Sequence, residues 1–263
     1  MSRLSVYQKQ MMRYPIRPFI GCLLAAAAVF ALGCSGPPLK PWHNERLTAE
    51  FTAEKLDDIR SFDDYRQLED RLFDQLKEEV YARTGTGPEY ELVRYSTGSA
   101  ADPQRHKPNW NRTFELSAAS PVGGVLLLHG MSDSPYSLRA LGQTLNRRHY
   151  WVIGLRLPGH GTAPSGLKYT KWEDMAAVVR LCMDHLAAKV GPKPLHIVGY
   201  SNGAPLAIDY SLDVLEGKSS PHPTSLVLIS PAIGVHSAAG LAGMKDGLSR
   251  IPGLGSLAWL SVV

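Results

Sequence analysis

The chain is 263 residues long, 44% apolar, 8% aromatic and 20% charged, which suits one sizeable domain and excludes a mini-protein, a collagen-like repeat and an intrinsically disordered chain. Its formal charge of +4 is local: Arg3, Lys9, Arg13 and Arg17 fall within the first 33 residues without an Asp or Glu, leaving 24 basic residues against 24 acidic ones in the remainder. The alkaline pI therefore carries no nucleic-acid reading.

The basic N-terminus runs into Phe19 to Gly33, an unbroken stretch of small and apolar residues laid out as an export signal, residues 1–33. The stretch is shorter than the ~20 residues that span a bilayer, so processing is favoured over an uncleaved anchor. It ends in Ala31-Leu32-Gly33-Cys34-Ser35, which resembles the bacterial lipobox, with leucine displaced by one position. That resemblance implies lipidation of Cys34 and a location in the cell envelope, with plain secretion as the alternative. The Pro-rich residues 34–46 read as an extended tether.

Residues 47–87 read as a charged helical arm, with Phe62, Tyr65, Leu68, Leu72, Leu76 and Val80 recurring every three or four residues. Ser61 with Asp64 suits its start, and Gly85-Thr86-Gly87-Pro88 its end. From residue 88 the texture becomes α/β. Strands are expected at Glu91–Tyr95, Thr113–Ser117, Gly124–Leu128, Tyr150–Leu155, Leu195–Val198 and Ser225–Ile229, with helices from Ser134-Pro135 to Arg147, Lys171–Lys189 and Ala204–Leu215. Such alternation predicts a mostly parallel sheet with helices on both faces, residues 88–236. Its site would lie at the carboxyl ends of the strands.

Cysteine usage leaves no disulfide: Cys22 departs with the signal, Cys34 is the lipidation candidate, and Cys182 lies on an apolar helical face as a buried small hydrophobe. Asn111-Arg112-Thr113 matches a glycosylation acceptor, but beside a bacterial-type signal it reads as chance.

The chemistry centres on Gly199-Tyr200-Ser201-Asn202-Gly203, preceded by a strand and followed by a helix. A nucleophile on so sharp a strand-to-helix turn takes strained dihedrals, and glycine is needed two positions either side. Upstream, the strand ending at Leu128 runs into His129-Gly130-Met131-Ser132-Asp133. The backbone N–H groups of Met131 and Asn202 are the candidate oxyanion donors. His129 is expected to fix this loop by hydrogen bonds.

These motifs, with Arg156-Leu157-Pro158-Gly159-His160-Gly161 between them, resemble the α/β-hydrolases of the monoacylglycerol lipase, carboxylesterase and serine aminopeptidase group over about Val122 to Gly234. The resemblance implies an α/β-hydrolase fold that hydrolyses a small acyl ester or lipid through an acyl-enzyme on Ser201. It also implies a structural role for His160. The loop at His129 lacks the glycine-rich form usual in prolyl iminopeptidases, which favours esters over peptides. A catalytically inactive lipid-binding or interaction protein is the competing reading, and a serine aminopeptidase another. No metal or organic cofactor is implied, and no nucleic-acid partner.

In that group an Asp and then a His follow the nucleophile. Asp209 and Asp213 sit on a helix leading away from the site, and His222 lies between two prolines at the far end of the sheet; His236 and Asp246 fall where a cap begins, residues 237–263. None is convincing, so the acid and base are unassigned, and the expectation is of a fold lacking its last strands, with one sheet edge open.

Overall fold

The computed structural model describes residues 38–234. They begin with a single helical turn, α1 (Pro41–Asn44), and an irregular stretch broken by one 3-10 turn, Ala53–Lys55. The long helix α2 (Phe62–Glu79) starts where the sequence places it: Ser61 Oγ accepts from the Asp64 N–H at 3.1 Å, and the Asp64 carboxylate accepts from the Ser61 N–H at 3.0 Å. This reciprocal box satisfies two of the donors a helix start leaves open. The arm is less helical than its periodicity suggests, since residues 47–61 are turns and α2 ends at Glu79, before a 3-10 turn at Tyr81–Arg83.

The expected strand at Glu91–Tyr95 does not form. Residues 88–105 instead make successive tight turns, with Val93 N–H bonded to Tyr90 O, Ser96 N–H to Val93 O, and Ser99 N–H to Ser96 O. The Ser96 hydroxyl donates to Gly85 O and the Ser99 hydroxyl to Val93 O, so short polar side chains give the backbone an alternative to a ladder. Leu92 is 81% exposed, and Tyr95 is buried without a ladder.

Five strands follow: β1 (Phe114–Leu116), β2 (Gly123–Leu128), β3 (Tyr150–Leu155), β4 (Leu195–Tyr200) and β5 (Ser225–Ile229). Their order in the sheet is β1-β3-β2-β4-β5, with β1 antiparallel to β3 and every other pair parallel. The crossover helices are α3 (Arg139–Asn146), entered through a 3-10 turn at Pro135–Leu138, α4 (Trp172–Val190) and α5 (Gly203–Leu215).

Strand pleating sorts the core into two layers. Val125, Leu127, Val152 and Val198 pack with Phe114, Leu138, Leu141 and Leu145 on the α3 face. Leu126, Leu128, Ile153, Leu155 and Ile197 face the other way, onto α4, α5 and the α2 residues Phe62, Tyr65 and Leu68. Burial on both faces explains the continuously apolar run of β2. Cys182 belongs to the second layer at 0% exposure.

At β5 one side pairs with β4, and among the described residues nothing pairs with the other. Val227 and Ile229 remain 48% and 37% exposed there. No helix of the described residues is long and apolar enough to cross a membrane. The export signal with Cys22 and Cys34, the cap, His236 and Asp246 lie outside the described residues.

Candidate active site

The chain leaves β4 at Tyr200, turns through Ser201 and Asn202, and enters α5 at Gly203. Ser201 takes φ +50°, the left-handed region that a residue with a side chain occupies only at a cost. The turn is held on both sides: the Ser201 N–H donates to Ile229 O at 2.9 Å, and Ser201 O accepts from the Ala232 N–H at 3.2 Å.

Both flanking glycines are forced by backbone approach. A Cβ at Gly199 would stand 2.4 Å from Gly203 O, and one at Gly203 would stand 2.3 Å from Leu128 O. Such distances admit no side chain. The elbow therefore sits directly against the end of β2, and the loop leaving that strand lies beside the nucleophile. A Cβ placed on Gly130 would be 3.1 Å from Ser201 Cβ.

No described residue accepts a hydrogen bond from the N–H of Met131 or of Asn202, the two expected oxyanion donors. Asn202 is the N-cap of α5, so its N–H lies at the positive end of that helix. Met131 itself is 55% exposed.

His129 is fully buried. Its Nε2 accepts from the Leu157 N–H at 3.1 Å, so the proton resides on Nδ1, which donates to Gly130 O at 2.9 Å. Burial, with the charges of His160 and Arg156 as lesser causes, pushes its pKa down to about 3. With both nitrogens engaged it cannot take a proton from Ser201. His160, its ring 5.0 Å away, donates from Nδ1 to Pro158 O at 2.8 Å, and burial lowers its pKa as well.

Asp213 forms an ion pair with Arg180, and His222 lies in the loop before β5. Among the described residues no side chain hydrogen-bonds to Ser201 Oγ. Asn111 is buried and accepts from Ser134 Oγ at 2.6 Å, which closes it to glycosylation.

Sequence reasoning missed a buried charged cluster behind this site. Arg156, just past β3, is 0% exposed and forms a two-pronged pair with Glu50, Nη1 to Oε2 at 3.0 Å and Nη2 to Oε1 at 2.9 Å. Its Nε lies 3.3 Å from the fully buried Glu69. Burial alone would lower the Arg156 pKa, but Glu50 foremost and Glu69 outweigh it and hold the pKa above the usual value. A sequence signal existed for Glu69, which lies four residues after Tyr65 and three before Leu72 on the apolar face of α2.

A cavity of about 270 Å³ lies between α2 and the 88–112 turns, lined by Phe73, Tyr81, Tyr95, Arg94, Lys107 and Arg112 among others. Ser201, Met131 and Asn202 are not part of it. Among the described residues no group of three or more His, Cys, Asp or Glu could hold a metal ion.

A parallel sheet, a serine elbow after a central strand and a glycine loop against it define an α/β-hydrolase. Residues 119–256 match the model of the serine aminopeptidase family S33, and the chain belongs to that family. A thermostable monoacylglycerol lipase of Bacillus sp. (strain H-257) is 30% identical over 127 residues, which are 48% of this chain and 46% of that relative. The chain thus spans about half the length of the curated relative it matches.

Among solved structures, that of the metagenome-derived lipolytic enzymes LipS and LipT is 25% identical, covering 54% of this chain and 53% of the other at a TM-score of 0.45. A monoacylglycerol lipase of Paleococcus ferrophilus is 22% identical over 53% of this chain and 51% of its own, with a TM-score of 0.40.

Proposed function

We propose that this protein is a serine hydrolase that cleaves carboxylic esters of small acyl or lipid substrates through an acyl-enzyme on Ser201. The observation that carries this reading is the apposition of Ser201, at φ +50°, to the Gly130 loop, with the N–H groups of Met131 and Asn202 unengaged by any described residue. In the first step Ser201 Oγ bonds to the ester carbonyl carbon and passes its proton to a general base. The carbonyl oxygen becomes an oxyanion facing the N–H groups of Met131 and Asn202. The C–O bond to the alcohol breaks, and the alkoxide leaves with the base's proton. Water then attacks the acyl-serine by the same sequence and releases the acid.

Burial keeps His129 and His160 neutral, and among the described residues no side chain hydrogen-bonds to Ser201 Oγ, so the base is assigned to residues outside 38–234. The likeness to a monoacylglycerol lipase supports ester substrates. Export and lipid anchoring at Cys34 complete the proposal and place the activity at a membrane of the cell envelope.

The test is labelling by a fluorophosphonate probe, which captures an activated serine. Labelling should occur in the wild-type chain and vanish in Ser201→Ala without a change in melting temperature; equal labelling of both would sink the assignment. Turnover of aminoacyl amides without turnover of short-chain esters would reassign the chemistry to an aminopeptidase.

A further inference from the structure

We propose that the N-terminal arm positions the oxyanion loop: Glu50, Tyr65 and Glu69 act through Arg156, Leu157 and His129 to fix the direction of the Met131 N–H. The inference rests on the reading of Ser201 as the nucleophile.

The final link is covalent. Gly130 C=O and Met131 N–H belong to one peptide unit, which is planar, so in its trans form the two bonds point in opposite directions. The His129 Nδ1–H holds Gly130 O at 2.9 Å and thereby aims the Met131 N–H away from His129. A rotation of this peptide would break that bond and withdraw the oxyanion donor.

In neutral His129 the one proton sits on Nδ1 only if Nε2 is bare, and the Leu157 N–H donating to Nε2 at 3.1 Å fixes that tautomer. Leu157 is placed in turn by its neighbour. The Arg156 N–H donates to Thr113 Oγ1 at 3.0 Å, and Arg156 O accepts from the Tyr65 hydroxyl at 2.6 Å. Thr113 Oγ1 donates onward to Glu69 at 2.6 Å. The Arg156 guanidinium is clamped by Glu50 and Glu69, and Glu50 also accepts from the Gly159 N–H at 2.9 Å. A planar fork held by two carboxylates has little freedom to turn.

The three arm residues in this chain of contacts precede residue 119, where the match to the family begins. The arm thus adds to the shared domain a set of polar contacts that end at the site. An arm serving only to cover apolar surface would need none of them.

Two variants of the full chain test this. Glu50→Gln keeps the side-chain shape and removes the charge; Tyr65→Phe removes only the hydroxyl that holds Arg156 O. Hydrogen exchange reads the linkage without requiring activity. In both variants exchange of the Leu157 amide is expected to accelerate at least tenfold, while the amides of β4 keep wild-type protection. Fluorophosphonate labelling of Ser201 should slow at least tenfold, and for a short-chain ester kcat should fall with KM unchanged, the signature of an interaction made in the transition state.

Faster exchange confined to residues 47–83, with Leu157 exchange and labelling at wild-type values, would overturn the proposal. If Glu50→Gln does not fold, Tyr65→Phe supplies the same readouts. A wild-type chain that exchanges as expected but is never labelled would overturn the assignment of Ser201 and retain the linkage.

Discussion

His129 makes stability depend on pH in a calculable way. Its pKa in the folded chain is pushed down to about 3, whereas an unfolded histidine titrates near 6.5. Between these values the unfolded chain binds a proton that the folded chain refuses. The stabilisation is therefore complete above about pH 6.5 and is lost as pH falls toward 3, at about 1.4 kcal/mol per pH unit. By about pH 5 the loss from this one residue is about 2 kcal/mol. Glutamine can accept from the Leu157 N–H but does not titrate. Urea unfolding of wild type and His129→Gln, each near neutrality and near pH 5, isolates the effect. The variant is expected to be less stable near neutrality but to lose about 2 kcal/mol less on acidification. Equal losses in the two proteins would show that His129 does not resist protonation, and the assignment of its proton to Nδ1 would fall with it.

Other outcomes follow from particular contacts. Gly203→Ala sets a methyl group 2.3 Å from Leu128 O, so it should cost about 1–3 kcal/mol and slow labelling of Ser201; an unchanged melting temperature would contradict the packing of the elbow on β2. Asp213→Asn breaks a partly exposed pair with Arg180 and should cost at most about 1 kcal/mol while leaving labelling intact. Loss of labelling in that variant would make Asp213 the missing acid. Burial raises the pKa of the Cys182 thiol well above its usual value, so iodoacetamide should modify it only in denaturant. Mass mapping of its peptide checks this, and modification in the native chain would refute it.

The sheet was legible because its central strand β2 is buried on both faces and its strands are bounded by turn residues. The expected bounds of Tyr150–Leu155 and Ser225–Ile229 are those of β3 and β5. The elbow was legible because strand, glycines and helix coincide within a few residues. Glu91–Tyr95 misled because successive turns can bury alternate residues as a strand does: Tyr95 is buried against Trp42 and Tyr81 although no ladder forms. The Arg156 cluster left almost no trace, since Glu50 pairs with a residue 106 positions away. No local pattern encodes such a partner. Glu69 alone carried a hint, as an acid within the apolar stripe of α2.

That cluster has a consequence for how the chain comes to be folded. Glu50 and Glu69 are synthesised 106 and 87 residues before the arginine they enclose. Phe62, Tyr65 and Leu68 of α2 emerge long before β3 and α4, which supply much of the layer they pack in. The sheet, for its part, cannot close over Arg156 while the guanidinium lacks its carboxylates, because an uncompensated buried charge is strongly destabilising. Neither portion reaches its final state alone, so the arm and the sheet are expected to appear and disappear in a single cooperative transition.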